Sequence, residues 1–115
     1  MATQADVRKR ALRKLGLAST NQAPTADLDS DMQAAYTEVY TMLETLKLTF
    51  WGESNAIPDE VANNMATLMA WERVNDFGIG SERYARIERE KNAAMQNFRM
   101  MAVNEYTSTA GPEDY

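Results

Sequence analysis

Residues 57–81 read IPDEVANNMATLMAWERVNDFGIGS, and their spacing decides the fold. Pro58 suits the first position of a helix, where a missing N–H costs nothing and the fixed φ is already helical. Asp59 and Glu60 follow, carboxylates at the positive end of the helix dipole. Val61, Met65, Leu68 and Met69 then recur at intervals of three and four, and Trp71, Val74 and Phe77 widen the same apolar side. Gly78 has the placement of a glycine just past a helix end. The segment therefore predicts a helix over 58–77. Only Ile79 and Gly80 separate that glycine from Ser81, which suits the cap of another helix. So short a connection makes the two helices antiparallel neighbours.

Downstream, Tyr84, Ile87, Ala94, Phe98 and Met101 keep the three/four spacing, with Lys91 as the one polar interruption, and predict a helix over 81–103. Glu82, Arg86 and Glu90 form an i, i+4 ladder on its outer side, worth about 0.2–0.5 kcal/mol per pair. Upstream, Asp27, Asp29, Ser30 and Asp31 open a helix over 29–50. Its stripe is Tyr36, Val39, Leu43, Leu46 and Phe50, and Gly52 stops it. The first helix, 4–15, has Thr3 as cap, Asp6 in its first turn and Gly16 after its end. Val7, Ala11, Leu12 and Leu15 share one arc; Lys9, Arg10, Arg13 and Lys14 lie opposite, and Arg8 strays towards the apolar side. Residues 17–29 and 53–57 read as connections.

No segment alternates as a strand does. The expectation is an all-α, four-helix bundle-like domain over 1–103. Residues 104–115, NEYTSTAGPEDY, are polar and interrupted by Gly111 and Pro112, and are expected to form a short flexible tail.

Composition narrows the chemistry. The 115 residues contain no cysteine and no histidine, which removes disulfides, thiolate catalysis, the commonest general base and the commonest metal ligand. Acidic pairs such as Asp59–Glu60 and Asp29/Asp31 sit at helix starts, where the dipole accounts for them. Asp27 to Asp31 lacks the glycine and terminal glutamate of a calcium loop. The expectation is no catalytic centre, no cofactor and no metal. No apolar run reaches the roughly 20 residues of a membrane span, and no apolar stretch follows the basic N-terminal residues as in a secretory signal. The eight methionines suit gap-filling in a core or an adaptable surface. Trp51 and Trp71 suit either core or interface.

Charge is unevenly placed. Residues 1–20 hold five cations against Asp6 alone, a net of +4, while residues 21–115 carry −9. The basic face of the first helix has three readings: a solvated or partner-facing surface, a phosphate contact, or a membrane contact. The third lacks an interfacial aromatic. The second sits on a body that repels phosphate. No tight turn follows the first helix to make a helix-turn-helix.

The stretch ADVRKRALRKLGLAS, with ALRKLG at Ala11 to Gly16, precedes a loop containing Pro and Asp and the helix DMQAAYTEVYTMLETL. This resembles the N-terminal half of the head-to-tail adaptor proteins of tailed bacteriophages, also called head-completion or packaged-DNA-stabilising proteins. IPDEVANNMATLMAWERVNDFGIG is similar to the wider class: a proline-opened helix with Ala62, Ala66 and Ala70 ends in the Phe77-Gly78-Ile79 turn. Members from short-tailed phages often carry a longer C-terminal extension than the roughly dozen residues after the last helix here.

The resemblance implies a non-enzymatic virion protein at the portal vertex. It would form a ring, commonly dodecameric, that joins portal to tail or nozzle protein and lets packaged DNA pass without sequence-specific binding. On that reading Lys9, Arg10, Arg13 and Lys14 meet acidic residues of a neighbouring subunit or the portal. The tail would dock on the portal through Tyr106, Pro112 and Tyr115. The alternative is a small DNA-binding regulator using the basic first helix. The helical reading has a direct check: far-ultraviolet circular dichroism should show the double minimum of an α-helical chain, whereas a strand-dominated spectrum would contradict it.

Overall fold

A reciprocal cap opens the first helix, α1 (Gln4–Lys14). The Thr3 hydroxyl accepts from the Asp6 amide at 3.2 Å, and the Asp6 carboxylate accepts from the Thr3 amide at 3.0 Å, so two donors without helical partners are satisfied together. The far end closes with the Leu17 amide donating to the Leu12 carbonyl at 2.8 Å and the Gly16 amide to that of Arg13 at 3.0 Å. This pair of bonds needs a left-handed residue after the cap, and Gly16 supplies it at φ +77°. The computed structural model describes residues 2–17, 25–49, 51 and 56–110, the side chains of 102 and 104–110 excepted.

The remaining helices are α2 (Ala26–Thr45), α3 (Asp59–Arg73) and α4 (Ser81–Ala110), with a single 3-10 turn at Val74–Asp76 between the last two. The fold is all-α, as expected, and differs from the sequence reading at particular ends. Helix α2 starts three residues earlier than expected because Thr25 caps it, its hydroxyl accepting from the Leu28 amide at 3.3 Å. It also stops at Thr45 rather than 50. There Lys47 takes φ +60°, and the Lys47 and Leu48 amides turn back to the Glu44 and Leu43 carbonyls at 3.0 and 2.9 Å. A non-glycine residue thus does what Gly16 does in α1, against a steric cost of roughly 1–2 kcal/mol. Leu46, expected on the core stripe, becomes the cap and is 50% exposed. Phe50 and Gly52 lie outside the described residues.

Pro58 is the cap of α3 rather than its first residue, and the helix tightens into the 3-10 turn before Gly78, at φ +61°. Helix α4 runs to Ala110, seven residues past the expected end at 103. Asn104 to Ala110, read as the start of a tail, contain no glycine or proline to interrupt the backbone ladder; those breakers come at Gly111 and Pro112.

Helix α3 packs against each of the other three helices. It is buried at Val61, Ala62 and every position from Met65 to Ala70, so over that last stretch it is enclosed all round, as a central helix is, while Asp59, Glu60, Asn63 and Glu72 stay exposed. Ala62, Ala66 and Ala70, at intervals of four, are all fully buried, a row of small side chains that lets neighbouring backbones approach. Thr67 is buried among them, its hydroxyl donating to the Asn63 carbonyl at 3.0 Å. Helix α1 contributes Val7, Ala11, Leu12 and Leu15 to the core, α2 contributes Met32, Ala35, Tyr36, Val39, Tyr40 and Leu43, and α4 contributes Ile87, Ala94 and Phe98. Asn97 donating to Asn64 and Trp71 beside Tyr84 fix α4 antiparallel to α3. Trp51 is a core residue, with its ring stacked on Phe98 and its carbonyl accepting from the Tyr40 hydroxyl at 2.9 Å.

An isolated antiparallel bridge between Ala2 and Ile57, with bonds of 2.9 and 3.0 Å, ties the start of the chain to the entry of α3. At roughly 1.5 Å per residue, the 30-residue α4 is about 45 Å long. It sets the long dimension of a molecule measuring 51 by 28 by 23 Å.

The close packing around α3 is testable. Ala66→Leu should destabilise the protein by about 1–3 kcal/mol through overpacking, read from the urea unfolding midpoint. Ala34→Leu at an exposed position of α2 should stay within about 0.5 kcal/mol of the native chain.

Candidate functional site

The basic face of α1 is the strongest charged feature of the sequence, and folding divides it. Arg8, the cation that strayed towards the apolar side, turns across to α2. Its Nε donates to Asp29 Oδ1 at 2.8 Å and its Nη1 to Gln33 Oε1, while Gln33 Nε2 donates to Gln4 Oε1 at 2.9 Å. Arg8 therefore fastens α1 to α2. Lys14, expected to meet another subunit, is partly engaged within the chain: its Nζ lies 3.4 Å from Glu90 Oε2 on α4. The ladder Glu82–Arg86–Glu90 gives no ion pair among the described residues; Glu90 pairs with Lys14 of α1 instead of Arg86.

Lys9, Arg10 and Arg13 remain. Lys9 and Arg13 are exposed and Arg10 is half-buried. None of the three makes a side-chain hydrogen bond or ion pair among the described residues. Spaced at i, i+1 and i+4, they occupy one outward face of α1, with Asp6 one turn earlier. The two backbone and side-chain hydrogen bonds with Thr3 hold the Asp6 carboxyl below its ordinary value of 3.8, and Lys9 and Arg10 push it the same way.

The sequence reading missed Arg83. Its Nη1 donates to the Lys14 carbonyl at 3.4 Å, setting a guanidinium against the negative end of the α1 dipole. A Cβ at Gly16 would come within 2.5 Å of that same nitrogen. Glycine at 16 thus serves both the left-handed turn and the approach of Arg83. No sequence signal paired residues so far apart.

Folding also redistributes the charge that the sequence divided at residue 20. Residues 27–76 hold ten acidic and two basic side chains, whereas residues 81–99 hold five basic and three acidic. The acidic body is therefore α2, α3 and their connections, while α1 and much of α4 carry the cations. One of the two cations in the acidic part, Arg73, is clamped between Asp31 at 3.2 Å and Glu38 at 3.0 Å with its side chain only 14% exposed. Burial alone would lower its pKa; the two carboxylates outweigh burial and raise it. Asp27, Glu44, Glu60, Glu72 and Asp76 stay exposed.

Among the described residues no group of histidine, cysteine, aspartate or glutamate could hold a metal ion, and no helix is long and apolar enough to cross a membrane. Pro112 and Tyr115 lie outside the described residues, as does the side chain of Tyr106. No protein-family model, curated protein or solved structure matches the chain.

The Asp6 cap carries a pH signature. A carboxyl held low in the folded state adds stability that is complete above its unfolded pKa and is lost as pH falls through the folded value. Asp6→Asn should therefore be less stable than the native chain at pH 7. The gap should close as pH drops below about 3.8, followed by urea unfolding at pH 7 and at successively lower pH.

Proposed function

We propose that this chain is a structural subunit of a homo-oligomeric ring, a head-to-tail adaptor that joins the portal of a tailed bacteriophage to its tail and surrounds the DNA path. The observation that carries this reading is the pair of unlike surfaces on one fold. Lys9, Arg10 and Arg13 make no side-chain hydrogen bond or ion pair among the described residues, and residues 27–76, which form α2, α3 and their connection, hold ten acidic against two basic side chains. Unlike faces on one chain favour head-to-tail contact, which closes into a ring when the rotation between copies permits. The resemblance of the α1–α2 and α3 sequences to phage adaptors supplies the biological setting. An acidic body suits a channel wall, since it repels phosphate and lets DNA slide.

Exposed ion pairs contribute roughly 0–1 kcal/mol each, so the row acts collectively. Lys14 contributes less than its three neighbours, being already paired with Glu90. Lys9→Glu combined with Arg13→Glu should reduce assembly with the portal or with other copies about tenfold or more, measured by sizing and by co-sedimentation. Lys14→Glu alone should act mainly on the contact between α1 and α4. If the double reversal leaves assembly intact and abolishes salt-sensitive binding to duplex DNA, the row is a phosphate-binding surface and the adaptor reading fails.

A further inference from the structure

Helices α2 and α4 both lie on α3 and leave a groove between them of about 400 Å³. Its floor is Leu68 and Trp71 of α3, Met42 of α2 and Met95 of α4. Lys91 and Arg99 stand along one side, each one helical turn from Met95, so the three share a face of α4. The Lys91 ammonium lies 5.5 Å from the centre of the Trp71 ring. Arg99 is exposed and makes no side-chain hydrogen bond or ion pair among the described residues. Glu72 is the one acidic residue on the rim. The site therefore offers an apolar, sulfur- and indole-lined floor beside two cations.

The occupant that fits this chemistry is written in the chain itself. Residues 111–115 read GPEDY: two adjacent carboxylates, Glu113 and Asp114, next to one phenol ring, after a proline that limits the freedom lost on docking. A molecule's own segment cannot bring a carboxylate to Lys91, although Arg99, 11 residues or about 16 Å from Ala110, lies near the limit of its reach. Ala110 lies 19 residues up α4 from Lys91, about 28 Å at 1.5 Å per residue. Asp114, four residues further on, extends at most about 14 Å back from Ala110. We infer that Glu113, Asp114 and Tyr115 of one copy dock in the α2–α4 groove of a second copy, carboxylates against Lys91 and Arg99 and ring towards Trp71. Segment and groove are different surfaces, so the contact is heterologous and propagates as a ring or an open chain. It does not depend on the portal reading, and it gives the C-terminal residues a different destination from the portal docking that the resemblance implies.

The test uses charge reversal with rescue, in the full chain, by sedimentation velocity across concentration. The native chain should self-associate. Glu113→Lys with Asp114→Lys should weaken that association about tenfold, and so should Lys91→Glu with Arg99→Glu. An equimolar mixture of the two variants pairs lysine segments with glutamate grooves and native segments with native grooves, and should restore native association. So should all four changes in one chain. Circular dichroism on each variant confirms folding; if the groove variant fails to fold, the segment variant and its loss of association still decide. A monomeric native chain, a segment variant that associates like the native one, or folded reversals without rescue would each overturn the inference. So would segment reversal altering Trp71 fluorescence equally at all concentrations, since that marks docking within one molecule.

Discussion

Burial of α3 is the constraint on which the rest depends. Between Met65 and Ala70 α3 exposes no side chain, and Thr67, the one polar residue there, is satisfied by the Asn63 carbonyl. The alanine row of α3 keeps neighbouring backbones close, and dense packing at that distance leaves little room for a larger side chain. Once α3 is enclosed, α1, α2 and α4 bury the sides that face it, and α1 and α2 also the sides that face each other. Their charged residues are sorted outward by default. The cationic face of α1 and the acidic body are thus products of one packing arrangement.

That arrangement also explains which charges stay inside the molecule. Arg8, Lys14, Arg73 and Arg83 sit where two helices meet, and each finds a carboxylate or carbonyl on a neighbour. Lys9 and Arg13 are exposed and Arg10 is half-buried, and none of the three finds such a partner among the described residues. The difference is positional: all seven side chains have comparable reach, and only the first four stand over a seam. A surface row left in this way is cheap to keep in water and available to a partner, and its worth rises when several members engage together.

Much of this was legible in the sequence because glycine and proline punctuate it. Gly16, Pro58 and Gly78 mark α1 and the ends of the α3 segment closely, and the short Ile79–Gly80 link sets the antiparallel pairing of α3 and α4. The end of α2 was not legible. Its left-handed residue is Lys47, which carries no signal of that conformation, so the apolar stripe read on through Leu46. Lys91 looked like a break in a core stripe; it is a cation beside Trp71, at a groove that only the tertiary packing of α2 and α4 creates. Charge sorting was half legible. Counting residues located the +4 segment, but the pairing of Lys14 with Glu90 across 76 positions and the cationic share of α4 required the fold.

The central claim is that surfaces of opposite charge on one chain are matched by another protein rather than by nucleic acid. Its most direct measurement is the mass of the free chain in solution as ionic strength is raised from low to physiological and beyond. The account predicts species larger than the 13.0 kDa chain at low salt that dissociate as screening shortens the reach of exposed charges. A 13.0 kDa particle at every concentration and ionic strength, forming tight salt-sensitive complexes with duplex DNA, would contradict it.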